Sequence, residues 1–141
     1  MSVEVINTIS PTTNETVITR NGVSESDLSA IPKTATDAFQ SWRKTSLKER
    51  QDIVSNFLKG LLDRQDELAE EITVQMGRPI AFGTVEVKTA VKRGEYLLKI
   101  SEESLKDTDG EAEKGFKRFI RKVPVGPVLI IFPWNVGCPL I

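Results

Sequence analysis

PVGPVLIIFPWN, residues 124–135, is the stretch of this sequence that decides the fold class. A turn at 124–127 leads into an unbroken, mostly β-branched apolar run at 128–132, and Pro133-Trp134-Asn135 follows. Such a run is typical of a central strand that is buried on both faces of a parallel sheet. In open α/β sheets, ligands bind beyond the carboxyl ends of the strands. The stretch therefore predicts an α/β fold with the Asn135 amide at a ligand-binding edge.

A β-hairpin is predicted at the start of the chain. Residues 3–20 alternate apolar and polar side chains in places, around a turn cluster at 11–14. Two short strands joined by such a cluster form a hairpin. Asn21-Gly22 then interrupts the pattern before the first helical stretch.

Three to four helices are predicted between the hairpin and residue 100. Ser46 and Glu49 have the spacing of a capping box, so a helix should begin there. A third helix should end at Gly77, with Pro79 beyond it. The last helix, from Ile80 to Ile100, contains small residues that allow a neighbour to approach closely. The apolar positions at helical spacing are Ala35, Ala38, Phe39 and Trp42; Ile53, Val54, Phe57, Leu58, Leu61 and Leu62; Leu68, Ala69, Ile72 and Met76; and Val87, Ala90, Val91, Gly94, Leu97 and Leu98.

The segment between the last predicted helix and the central strand is polar and then basic. Residues 101–115 are predicted to form an exposed connection, and residues 116–123 a strand with a basic face. Basic side chains with Phe116 and Phe119 among them could bind nucleic acid by charge and stacking. The alternative, a half-exposed strand whose basic face is solvated or meets another subunit, is favoured because the chain is nearly neutral.

Charge and composition exclude several classes of partner. The chain has 141 residues, with 19 basic and 20 acidic side chains, so no long-range field gathers nucleic acid or anionic membrane. The N-terminus lacks the features of a signal or transit peptide, and the apolar run at 128–132 is far shorter than the roughly 20 residues of a membrane span. We expect a cytoplasmic protein with neither a nucleic-acid nor a membrane partner.

The cysteine and histidine content limits the chemistry further. Cys138 is the single cysteine and there is no histidine, so no internal disulfide and no metal site are expected. Cys138 is interpreted as an inert small apolar residue, because nothing visible would depress the pKa of its thiol. The sequence contains no glycine-rich dinucleotide motif, P-loop or nucleophile elbow.

The order and spacing of several short motifs resemble the first third of the aldehyde dehydrogenases. The likeness covers nearly the whole chain up to Asn135. The motifs are Phe39-x-x-Trp42-Arg43, Glu49-Arg50, Leu68-Ala69, Met76-Gly77-Arg78-Pro79, Glu86-Val87, Pro124-x-Gly126 and Phe132-Pro133-Trp134-Asn135.

The resemblance implies an activity and a site. In that family, a cysteine thiolate attacks an aldehyde, a hydride passes to NAD or NADP, and a glutamate-activated water releases the carboxylic acid. By resemblance, Asn135 helps to hold the oxyanion, and Ile131, Phe132, Pro133 and Trp134 line the cofactor site. On residue type alone, Trp134 would be an aromatic core anchor and Asn135 a turn residue.

The sequence departs from the family pattern after Asn135. Residues 136–141 form an atypical tail, in which the expected proline comes two positions late. The nucleophilic cysteine, the general-base glutamate and the residues that hold the cofactor ribose and pyrophosphate belong to later segments of the family. The strand at 128–132 also has no parallel partner within the sequence, so its backbone groups and apolar surface would lack neighbours.

Residues 1–141 are therefore expected to be a partial N-terminal, cofactor-binding domain with an incomplete Rossmann-like sheet. It would be inactive by itself and would not bind NAD or NADP stably. The expected partners are a small-molecule aldehyde in the complete enzyme and a second copy or a full-length paralogue. The alternative is a non-catalytic module that associates with full-length subunits.

Overall fold

The computed structural model describes residues 3–135, which form two small antiparallel hairpins separated by four helices. This mixture of helices and strands confirms the predicted fold class. The elements are β1 (Val5–Ile9), β2 (Thr16–Asn21), α1 (Glu25–Trp42), α2 (Leu47–Asp63), α3 (Gln65–Met76), α4 (Ile80–Leu105), β3 (Thr108–Asp109) and β4 (Phe119–Ile120).

The predicted N-terminal hairpin is confirmed. β1 and β2 pair antiparallel, with Val5 opposite Asn21, and the register shifts after Thr8. The turn is closed by the Asn14 backbone N–H, which donates to the Ser10 carbonyl at 2.8 Å. Asn14 has a positive φ of 61°, a conformation that asparagine tolerates better than most residues.

The helix boundaries follow the chemistry of nearby side chains. The predicted capping box of α2 is present: the Ser46 hydroxyl accepts from the Glu49 N–H, and the Glu49 carboxylate accepts from the Ser46 N–H. Gly77 ends α3 with a φ of 72°, which glycine adopts without steric cost. α1 begins at Glu25, earlier than the apolar spacing suggested, because the Ser24 hydroxyl caps the Asp27 N–H. α4 continues past Ile100 to Leu105, into the expected connection.

The core lies where α4 packs against α2 and α3. A Cβ on Gly83 would lie 2.6 Å from the Ala69 Cβ, and a Cβ on Gly94 would lie 2.5 Å from a methyl of Leu58. The close approach predicted from small residues on α4 is therefore confirmed. The buried apolar side chains of the described residues are Leu58, Ala69, Val87, Ala90 and Val91.

The apolar stripes of α1 and α2 are largely uncovered. α1 buries none of its residues, and Leu58 is the one buried residue of α2. The helices predicted from this periodicity are present. Burial needs a second surface: α4 supplies it for Leu58, while most other apolar side chains of the two stripes stay partly exposed.

The predicted central strand at 128–132 is wrong for this protein. Residues 128–132 have no regular secondary structure, and Leu129 and Ile131 are 86% and 85% exposed. A strand forms only when a neighbour supplies a hydrogen-bonding ladder, and none of the described strands pairs with this segment. The predicted strand at 116–123 is also shorter: Phe119–Ile120 pairs with Thr108–Asp109, and Phe116 forms an isolated bridge with Glu113.

Candidate functional site

The Pro133-Trp134-Asn135 motif lies in a turn beside α2 and α3. Trp134 borders an open groove of about 250 Å³ and remains 59% exposed. The rest of the groove is lined by Leu61, Leu68, Glu71, Ile72, Gln75 and Met76. The indole therefore lies against a mostly apolar groove but is not buried in the core, as an aromatic core anchor would be.

Asn135 itself is exposed. Its side-chain amide can donate two hydrogen bonds and accept others. The amide follows a stretch, residues 123–134, that contains no ionisable side chain. The segment can therefore supply hydrogen-bond donors and an apolar wall, but it supplies no general acid, no general base and no nucleophile.

The other residues expected near the cofactor adjoin Asn135 in the sequence. Ile131 is almost fully exposed, Phe132 is 42% exposed and Pro133 is exposed. Much of their apolar surface, above all that of Ile131, is uncovered within residues 3–135. Cys138 and the atypical tail at 136–141 lie outside the described residues.

An ion pair inside the core was missed at the sequence level. Arg78 Nη1 lies 2.5 Å from Glu86 Oε2, and the Glu86 side chain is only 2% exposed. Glu86 Oε1 is buried and has no hydrogen-bond partner among the described residues. The available signal was the position of Glu86, which shares the buried face of α4 with Ala90 and Gly94 at i+4 and i+8.

A larger open groove lies between α2 and α4, away from Asn135. It has a volume of about 360 Å³, and its walls are mostly apolar. One polar contact crosses it, from Gln51 Nε2 to Ser101 Oγ at 2.8 Å. Its apolar lining includes Val54, Phe57, Leu61, Leu97, Leu98 and Leu105.

Two arginines of the basic segment are paired with local carboxylates. Arg121 Nη2 lies 2.9 Å from Asp107, and Arg118 forms an ion pair with Glu113. The hydrogen bond from Arg121 holds the pKa of the Asp107 carboxyl below its ordinary value. The Arg121 guanidinium also lies 4.7 Å from the centre of the Phe119 ring. The two guanidinium groups therefore make local ion pairs and remain more than half exposed.

Residues 3–135 have the features neither of a metal site nor of a membrane-spanning helix. Within them, no cluster of three or more histidine, cysteine, aspartate or glutamate side chains could hold a metal ion. No helix there has the length and apolar character needed to cross a membrane.

Comparison with known proteins assigns the protein to a family. The family model of the aldehyde dehydrogenases matches residues 1–141, so the chain belongs to the aldehyde dehydrogenase family. It is 30% identical over 133 residues to succinate-semialdehyde dehydrogenase [NADP(+)] of Mycobacterium avium. That alignment covers 92% of this chain and 28% of the relative, so the chain spans less than a third of the relative's length.

Solved structures share the fold. The aldehyde dehydrogenase KauB of Pseudomonas aeruginosa superposes with a TM-score of 0.88 over 97% of this chain and 28% of its own, at 24% identity. Indole-3-acetaldehyde dehydrogenase of P. syringae, solved in complex with NAD+, gives a TM-score of 0.78 over 87% of this chain and 25% of its own, at 21% identity. The arrangement of hairpins and helices is therefore that of a larger enzyme fold.

Proposed function

We propose that this chain supplies the oxyanion-binding amide and one apolar wall of an NAD(P)-dependent aldehyde dehydrogenase site. The observation that carries the proposal is the position of Asn135, exposed and directly after a stretch without ionisable groups. In the complete enzyme the reaction would convert an aldehyde to a carboxylic acid. This chain would contribute binding and electrostatics to that reaction.

Asn135 would act on the aldehyde oxygen. When a nucleophile adds to the carbonyl carbon, negative charge develops on that oxygen, and an amide N–H aimed at it stabilises the charge. One such donor is typically worth ~10²–10³ in rate when the rest of the site is in place. An apolar surround strengthens the interaction, because fewer waters compete and the local dielectric is lower.

The four residues before Asn135 would form one wall of the cofactor site. Their uncharged, apolar surface fits a nicotinamide ring, which would accept a hydride from the substrate when NAD or NADP is bound. The ribose and pyrophosphate need hydrogen-bond donors and charged groups, and residues 123–135 contain no charged side chain. We infer that this chain alone does not hold NAD or NADP stably. The wall is formed by Ile131, Phe132, Pro133 and Trp134.

Two proteins can test which parts of the reaction this chain supplies and which it lacks. The first is the 141-residue chain alone, assayed for aldehyde-dependent reduction of NAD+ and NADP+. The second is a chimera in which residues 1–135 replace the equivalent part of the Mycobacterium avium relative, assayed with succinate semialdehyde. We expect no turnover by the chain alone and measurable turnover by the chimera.

Each outcome bears on a different claim. Turnover by the chain alone would contradict the claim that essential groups lie elsewhere. A chimera that folds and binds cofactor but does not turn over would contradict the claim that this chain provides a functional part of the site. Circular dichroism and cofactor-binding measurements on the chimera separate that result from a failure to fold.

A second candidate function is a non-catalytic module that associates with full-length aldehyde dehydrogenase subunits. The uncovered apolar surface of α1 and of residues 128–132 favours it, because exposed apolar patches often mark interfaces. Co-expression with a tagged full-length relative would test it. Stoichiometric co-purification would support association, and a chain that elutes alone would count against it.

A further inference from the structure

Asn21 and Gly22 form a chemically distinctive pair at the end of the N-terminal hairpin. Asn21 is the last residue of β2 and is exposed. Glycine has no side chain, so its backbone nitrogen can approach the preceding side chain with little steric hindrance. Of the five asparagines in the sequence, Asn21 is the one followed by glycine; the others, Asn7, Asn14, Asn56 and Asn135, precede Thr8, Glu15, Phe57 and Val136.

In the folded hairpin, the Gly22 nitrogen is engaged in a backbone hydrogen bond. The Gly22 N–H donates to the Glu4 carbonyl at 2.7 Å, and Val5 lies opposite Asn21 in the register. A Cβ on Gly22 would lie only 3.0 Å from the Glu4 oxygen, so the two strands are close at this point. The nitrogen is therefore held toward Glu4 by the ladder and is not free to turn toward its own neighbour.

We propose that Asn21 is a site of spontaneous deamidation and that opening of the β1–β2 hairpin controls its rate. When the hairpin opens, the Gly22 nitrogen loses its proton to water and attacks the Cγ carbonyl carbon of the Asn21 amide. A new C–N bond forms, the Cγ–Nδ2 bond of Asn21 breaks, and ammonia leaves, which gives a cyclic succinimide. Water then opens the ring at either carbonyl and yields aspartate or isoaspartate. No oxidation or reduction occurs.

The product would alter the hairpin that protects the site. Either product adds a negative charge at residue 21, which lies opposite Val5 in the register. Isoaspartate also adds a methylene to the backbone of β2, which breaks the pairing register beyond that point. The hairpin turn packs against the end of α3, where Pro11 lies next to Gly77. Damage at Asn21 would therefore loosen an element that contacts the helices.

The test follows isoaspartate at residue 21 by peptide mapping of the 141-residue protein, incubated warm at mildly alkaline pH. In native buffer the site reacts only when the hairpin is open, and the free energy of local opening sets how rarely that happens. Urea keeps the hairpin open, so we expect at least roughly tenfold faster conversion in urea than in native buffer. A second variant, Ile6→Pro, removes a backbone donor from the β1 strand opposite Arg20. It should raise the rate in native buffer toward the rate in urea.

Two controls test whether attack by the Gly22 nitrogen causes the conversion of Asn21. Gly22→Ala in urea should slow conversion sharply, because the added methyl hinders the attack, and Asn14 and Asn56 serve as internal references in every sample. Equal rates in native buffer and in urea, or no product at Asn21 in urea, would overturn the proposal. An Ile6→Pro variant whose hairpin amides have lost their protection from hydrogen exchange, but whose deamidation in native buffer stays slow, would also overturn it. None of these measurements depends on aldehyde dehydrogenase activity.

Discussion

At the scale of single residues, Glu86 shows how one charge can be held inside a small core. It lies on the face of α4 that also buries Val87 and Ala90, and its compensating cation, Arg78, comes from the turn between α3 and α4. Burying a carboxylate is costly unless a cation and hydrogen bonds satisfy it. The ion pair therefore holds the turn between α3 and α4 against the buried face of α4.

Replacing Glu86 by alanine should destabilise the protein. The substitution leaves the Arg78 guanidinium, about a third exposed, without its partner and opens a small void. We expect a loss of about 1–2 kcal/mol in the free energy of unfolding, measured by urea denaturation, since water can reach the Arg78 guanidinium that is left unpaired. The matched control is Asp37→Ala, which removes the exposed partner of Lys33 on α1 and should change stability by less than about 0.5 kcal/mol. Equal losses in the two variants would contradict the role given to burial.

At the scale of elements, the contact between α3 and α4 depends on the absence of a side chain at Gly83. Alanine normally favours a helix over glycine, by about 1 kcal/mol. At Gly83 a methyl would clash with Ala69, whereas a Cβ at Gly60 on α2 would have no atom within 4 Å.

The two glycines therefore predict opposite effects of the same substitution. Gly60→Ala should stabilise the protein by about 0.5–1 kcal/mol. Gly83→Ala should destabilise it by about 1–3 kcal/mol, because the helices must separate or shift. Thermal and urea unfolding of both variants would check the signs. A stabilising Gly83→Ala would show that the close packing of α3 on α4 is wrong.

The start of α2 predicts a dependence on pH. The backbone N–H of Ser46, and then its hydroxyl, donate to the Glu49 carboxylate and hold the pKa of Glu49 below its ordinary value. A carboxyl whose pKa is depressed by folding stabilises the protein above its unfolded pKa. That contribution is lost as the pH falls through the lowered folded pKa.

The difference in unfolding free energy between the wild type and Glu49→Gln should therefore be present at neutral pH and shrink on acidification. Urea titrations across this range measure it. In a Ser46→Ala background, one of the two donors is absent, so the pH dependence of the difference should be weaker. A difference that stays constant with pH in the wild-type background would contradict the assignment.

The same elements show what sequence reasoning can and cannot reach. The capping box at Ser46 and the left-handed Gly77 were predictable because caps and turns depend on a few neighbouring residues. The run at 128–132 was predicted as a central strand, yet it has no ladder here, since strand formation depends on partners distant in sequence. The periodicity of α2 gave the helix correctly, whereas the cover over its apolar side chains depends on elements distant in sequence. The site residues Ile131 to Asn135 came from the family resemblance, and their roles stay predictions.

At the scale of the whole molecule, the distribution of apolar surface is the main feature. α4 forms a core with α2 and α3, while α1 and the segment leading to Asn135 present uncovered apolar side chains. Solved family members that share this arrangement are more than three times as long as the superposed region.

The turnover number of the chimera with Asn135→Ala tests the central claim most directly. An oxyanion donor acts mainly in the transition state, so we expect kcat to fall by ~10²–10³. The affinity for NADP+ should stay unchanged, and an Asn14→Ala control at the hairpin turn should retain full kcat. A chimera that folds, binds cofactor and keeps its kcat after Asn135→Ala would contradict the proposed role of Asn135.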